Sequence, residues 1–124
     1  MKKYLVPIMI LAACAVGSSP LFANKTSVEI KAPESVKKGS EVTVTINVSH
    51  SGNNRFHHTD WVYVKADGKE IARWTFTGSD LPENENFTRE VKLTVKADTV
   101  IESEGNCNRH GSNGVATITI KAGK

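Results

Sequence analysis

Val42-Thr43-Val44-Thr45-Ile46-Asn47-Val48-Ser49 sets an apolar side chain at every second position. Successive side chains of a strand point to opposite faces, so Val42, Val44, Ile46 and Val48 form one apolar face. Thr43, Thr45, Asn47 and Ser49 form the polar one, and the stretch reads as a half-buried strand. The same period continues outward along the chain. Val91, Leu93 and Val95 alternate with Lys92, Thr94 and Lys96. Ala116, Ile118 and Ile120 share a face opposite Val115, Thr117 and Thr119. Trp61-Val62-Tyr63-Val64 is β-branched and aromatic, Asp67-Gly68 is a hairpin turn signal, and 71–76 is the return strand. Val28-Glu29-Ile30 makes a short first strand that stops at Ala32-Pro33. Residues 36–40 read as a connecting turn and 79–86 as a polar loop. No stretch carries an amphipathic helical pattern. The fold class is all-β, an antiparallel immunoglobulin-like β-sandwich of about seven strands.

The first residues read as an address rather than as structure. Met1-Lys2-Lys3 is basic, Tyr4 to Val16 is a mostly apolar run too short to span a bilayer, and Ser18-Ser19-Pro20 breaks it. Phe22-Ala23 offers a small residue for cleavage, which makes 1–23 an export signal peptide and 24–124 the mature domain. Leu11-Ala12-Ala13-Cys14 also fits a lipobox, in which Cys14 would carry a lipid anchor. Either reading places the domain outside the cytoplasm, in a periplasm or beyond. About 100 residues make one domain. Setting aside Lys2 and Lys3 leaves 14 basic side chains against 13 acidic, a net charge near +1. That balance is no footprint for nucleic acid. No later segment is apolar enough for a membrane span.

The chain has two cysteines and four histidines. With Cys14 removed or lipidated, Cys107 has no partner for an internal disulfide. Cys107 and His110 lie in Asn106-Cys107-Asn108-Arg109-His110-Gly111, and His50, His57 and His58 lie in one upstream segment. A thiolate with imidazoles is a ligand set for a transition metal. His50 ends the strand at 42–48, His57 and His58 precede the strand at Trp61, and Cys107 and His110 precede the last strand. Loops at one end of a sandwich can converge. Neighbours on an extended chain point to opposite sides, so one of His57 and His58 would bind. Zinc, copper and iron would each accept the set.

The order Glu29-Ile30-Lys31-Ala32-Pro33, Val36-Lys37-Lys38-Gly39, His50, His57-His58-Thr59-Asp60-Trp61 and Cys107-Asn108-Arg109-His110-Gly111 resembles the superoxide reductases. These are the iron-binding domains of the desulfoferrodoxin and neelaredoxin family, and the likeness spans nearly all of 24–124. It implies a β-sandwich and a mononuclear non-haem iron held by four planar histidines and an axial cysteine. The sixth position is open or taken by a glutamate. By position His50, His57 and His110 resemble three of the planar histidines and Cys107 the axial thiolate. Lys25 resembles the lysine that draws in the anionic substrate, the one catalytic side chain besides the ligands. The family's first histidine aligns with Thr26 and its glutamate with Asn24. His58, the mature amino terminus or a water would then complete the shell.

The resemblance implies one-electron reduction of superoxide to hydrogen peroxide, with an unidentified electron donor. Arg55 and Arg109 are further cations that would steer the anion. Two rivals come from other classes. A cupredoxin-type electron-transfer copper protein would want a late methionine, and Met1 and Met9 both lie in the signal. A redox-inactive or zinc-stapled immunoglobulin-like module would keep its function in Cys107→Ser.

Overall fold

The computed structural model describes residues 24–124. The signal peptide, its cleavage site and Cys14 lie outside the described residues. Eight strands make up the domain: β1 (Ser27–Lys31), β2 (Ser35–Lys37), β3 (Ser40–Ser49), β4 (Thr59–Ala66), β5 (Lys69–Thr75), β6 (Phe87–Val95), β7 (Thr99–Cys107) and β8 (Ala116–Gly123). No helix occurs among the described residues, so none there is long and apolar enough to cross a membrane.

Two sheets face each other, one ordered β1-β3-β6 and the other β2-β8-β7-β4-β5. The alternation in β3 does what its period dictates: Val42, Val44, Ile46 and Val48 are buried, and its polar residues are turned outward. Val62 and Val64 of β4, Ile101 of β7 and Ile120 of β8 close the core from the other sheet. Fully burying a side chain of this size contributes roughly 1.5–3 kcal/mol relative to leaving it exposed. Asp67 and Gly68 both take positive φ, 50° and 82°, which is the hairpin geometry expected between β4 and β5.

Two strands go beyond the sequence reading. β2 falls partly in the expected turn at 36–40 and pairs parallel with β8, so the second sheet is mixed rather than wholly antiparallel. β7 is the larger surprise, because Cys107 is its last residue rather than a loop residue. It lies between β8 and β4, and its inward positions include Ser103 and Gly105, which give no apolar alternation. The Ser103 hydroxyl donates to the Tyr63 carbonyl at 2.7 Å, and Thr26 and Val28 fill the space a Gly105 Cβ would need.

One irregularity in β4 positions the site. Thr59 pairs with Cys107 while Trp61 pairs with the adjacent Asn106, so Asp60 is an extra residue on the β4 side. Such a bulge re-aims the strand locally. The Asn106 side-chain amide donates to Asp60 Oδ1 at 2.8 Å and holds it closed.

Candidate metal centre

His50 follows β3 directly, and its backbone N–H donates to Asn86 Oδ1 at 3.1 Å. The chain then turns back on itself. Asn54 and His57 exchange backbone hydrogen bonds of 2.9 and 3.2 Å, and the Asn54 side chain accepts from the Phe56 and His57 amides. Asparagine favours such turns because its side chain can take the place of a backbone acceptor. Gly52 lies inside this turn with φ 137°, and a Cβ there would stand 2.7 Å from His57 Nδ1. Only glycine lets the His57 ring lie against the backbone.

The second loop is built in the same way. Cys107 and Gly111 exchange backbone hydrogen bonds of 2.9 and 3.0 Å, with Gly111 at φ 85°. Asn108 laces the two loops together. Its side-chain oxygen accepts from the His58 amide at 2.9 Å, and its own amide donates to the His58 carbonyl at 3.0 Å. These bonds bring residues some fifty positions apart in the chain into one cluster.

Donor atoms of His50, His57 and Cys107 all lie within 4.8 Å of one another. His110 joins them, its Nδ1 standing 3.2 Å from His57 Nε2 and 3.8 Å from Cys107 Sγ. The thiol sulfur is buried and accepts the backbone N–H groups of Arg109 and His110 at 3.4 and 3.3 Å. Two such donors orient the sulfur and tune its strength as a ligand. His50 Nδ1 is paired with the Gly52 carbonyl at 2.8 Å, which fixes it as the N–H tautomer and leaves Nε2 with a free lone pair. That Nε2 is buried and has no hydrogen-bond partner among the described residues. A buried, unpaired nitrogen beside two more imidazoles and a sulfur is costly without a cation, and the donor set fits a transition metal.

The electrostatics agree. Burial pushes the His50 pKa below its usual value, against the raising pull of the Gly52 carbonyl and of the Asn24 backbone, which lies near the ring without a hydrogen bond to Nε2. Burial also lowers His57, and the neighbouring His50 and His110 rings lower it further. Neutral imidazoles are the form that binds metal.

His58 lies apart from the cluster. It is buried, and its Nδ1 is paired with the Asn54 carbonyl at 3.0 Å. Thr26, where the resemblance puts a histidine, is also buried, and its hydroxyl is bonded to that of Thr59 at 2.9 Å. Lys25 lines an open cleft of about 300 Å³ with Ser27, Ser49, His50, Ser51, Glu85 and Asn86. The sequence reading missed Gly52, Asn54 and Asn108 as positioning residues. Their signal was present as the Gly-Asn-Asn run and the asparagines flanking Cys107.

A family model described as Desulfoferrodoxin matches residues 21–113. Among solved structures, a superoxide reductase (neelaredoxin) from Ignicoccus hospitalis is 24% identical with a TM-score of 0.69, covering 86% of this chain and 87% of that one. A superoxide reductase in its oxidised state is 17% identical with a TM-score of 0.58, covering 85% and 94%. The same fold extends to a CARDB domain from Pyrococcus furiosus in complex with di-metal ions, 19% identical with a TM-score of 0.61, covering 82% and 96%. At these identities the structural likenesses speak to fold alone. No curated protein sequence matches the chain.

Proposed function

The chain belongs to the desulfoferrodoxin family, whose domains bind non-haem iron, and from that premise we propose that it is an exported superoxide-reductase-like protein. It would convert superoxide to hydrogen peroxide by adding one electron and two protons. The observation that carries this reading is the buried His50 Nε2, unpaired beside the sulfur of Cys107 and the rings of His57 and His110. His50, His57, His110 and Cys107 would hold the metal. Ferrous iron bound there would supply the single electron.

The protein's own residues do the rest. The Arg109 and His110 amides donate to the Cys107 sulfur, which orients it and tunes how strongly it donates to a bound metal. The Gly52 carbonyl holds His50 in one tautomer and one orientation. Lys25 lines the cleft beside His50 and draws a small anion toward the site. The protons come from solvent, to which that cleft is open. Export rests on the basic and apolar pattern of residues 1–23.

The test is to mix the reduced, iron-loaded protein with superoxide. One hydrogen peroxide should form per iron oxidised, with no oxygen evolved. Loss of superoxide no faster than its spontaneous dismutation would contradict the reading. Lys25→Ala should slow the reaction roughly tenfold and weaken its dependence on salt.

Thr26 favours a second reading. With its hydroxyl committed to Thr59, it leaves three imidazoles and one thiolate, which is also a closed zinc set. Metal analysis separates the two.

A further inference from the structure

Val62 and Val64 of β4 face the core, so Trp61 and Tyr63 between and beside them project from the outer face of the sheet. Their rings stack, with centroids 5.8 Å apart and planes 18° from parallel. One end of this pair lies beside the metal centre. Trp61 is paired across the strands with Asn106, the residue before Cys107. Opposed residues of an antiparallel pair stand about 4.5–5.5 Å apart at Cα. The Asn106 side-chain amide donates to the Cys107 carbonyl at 3.1 Å and to Asp60 Oδ1 at 2.8 Å, which ties this corner to both strands. At the far end the Tyr63 hydroxyl donates to Glu104 Oε1 at 2.9 Å. Residues 24–124 hold no other tyrosine, and their other tryptophan, Trp74, packs against the core from β5.

A stacked pair that starts beside a metal ligand and ends on a carboxylate has the parts of a path for an electron. Indole and phenol rings give up one electron more readily than the amide and aliphatic groups around them. Arg73 decides where the oxidation comes to rest. Its guanidinium lies 5.4 Å from each ring centroid, and a cation there penalises positive charge left on either ring. Tyr63 escapes that penalty, because its phenol proton can cross to Glu104 as the electron leaves, and the ring is then a neutral radical. Resting on the reading that reduced iron makes hydrogen peroxide at this site, we infer that Trp61 and Tyr63 lead oxidising equivalents away from the metal ligands to the outer sheet face. The need arises when hydrogen peroxide meets reduced iron again. The peroxide takes up two electrons and two protons, its O–O bond breaks, and two waters form. Iron gives one electron, and Tyr63 gives the other through Trp61. The phenol proton passes to Glu104, and solvent supplies the two protons of the waters. A hydrogen-atom donor in solution, such as ascorbate, restores Tyr63, and Glu104 returns its proton to solvent. Without this path the buried Cys107 sulfur is the oxidisable group at hand.

The test mixes the reduced, iron-loaded protein with hydrogen peroxide and freezes it at once for electron paramagnetic resonance. A tyrosine radical should appear, and Tyr63→Phe should abolish it. Trp61→Phe should also abolish it while leaving iron content and the oxidised visible band unchanged, and Glu104→Gln should lower its yield. Mass spectrometry after repeated peroxide additions should find more sulfinic and sulfonic Cys107 per iron in Tyr63→Phe and Trp61→Phe than in the parent protein. Peroxide that oxidises the iron without any tyrosine radical overturns the inference. So does a radical of equal yield in Trp61→Phe, or Cys107 oxidation that is the same in parent and variants. Those outcomes leave superoxide reduction standing. A protein that takes up no iron, or consumes superoxide no faster than spontaneous dismutation, fails at the proposed function, and the inference falls with it.

Discussion

The space between the sheets and the loop end of this domain bury different chemistry. Between the sheets, Val44, Ile46, Val62, Val64, Val95, Ile101 and Ile120 are closed to water and carry no polar side-chain atom. At the loop end the buried residues are Thr26, His50, His58, Thr59 and Cys107. Burying a polar group without a hydrogen bond is costly, so nearly every one of these is paired. Thr26 meets Thr59, His58 meets the Asn54 carbonyl, and Cys107 accepts two amides. Among the described residues the exceptions at this end are His50 Nε2 and, three residues on in the same loop, Asn53 Oδ1. The apolar interior explains why the chain folds. The loop end, where the pairing rule is broken at His50 Nε2 and Asn53 Oδ1, is where the proposed chemistry sits.

That contrast can be broken or sharpened by substitution. The largest effect belongs to Cys107→Ser, which removes the soft ligand. The iron-loaded, oxidised protein should lose its thiolate band altogether, while circular dichroism still reports the β fold. In the other region, Ile46→Ala opens a cavity and should cost about 2–5 kcal/mol in denaturant unfolding. It should leave iron stoichiometry unchanged where the protein remains folded. An Ile46→Ala protein that is folded but cannot bind metal would show that the two regions are not separable.

Gly52→Ala acts at the border between them. The added Cβ would meet His57 Nδ1 at 2.7 Å, in a backbone conformation that disfavours alanine. Metal affinity, read by competition with a chelator, should fall about 10–100-fold. Acid is a gentler probe. His50 and His57 have folded pKa values below the usual 6.5, chiefly through burial, so the unfolded chain takes up protons first as pH drops. The metal-free protein should hold its stability above pH 6.5 and lose it progressively below. Flat stability through that window would contradict the burial of these rings.

The smallest effect lies on the outer sheet face. Burial and the hydrogen bond to Glu104 push the Tyr63 pKa up to about 12 from 10.0. The folded state holds its phenol proton longer than the unfolded state does. Stability from this group is full below pH 10 and lost as pH climbs toward 12. Tyr63→Phe should remove that part of the alkaline loss and leave the metal centre untouched.

Much of the frame was legible in the residues. The period of β3, β6 and β8 and the Asp67-Gly68 turn each follow from local rules, and the structure keeps them. β7 was not legible, because its inward face is decided by tertiary contact. Ser103 is satisfied by Tyr63 of β4, and Gly105 makes room for Thr26 and Val28. β2 was hidden by its length of three residues and by a partner, β8, more than eighty positions away. At the candidate metal centre, residue chemistry pointed to His50, one of His57 and His58, Cys107 and His110, and the family resemblance chose His57. Their convergence depends on the Asn108 bridge between loops and on Gly52, and neither can be inferred from ligand types alone.

The most direct measurement is metal analysis of anaerobically purified, iron-reconstituted protein, followed by its visible spectrum before and after oxidation. One iron per chain, and on oxidation a sulfur-to-ferric absorption that is absent in Cys107→Ser, is the result predicted here. Protein that takes up no iron, or stays colourless when oxidised, would contradict a shared cation held by these two loops.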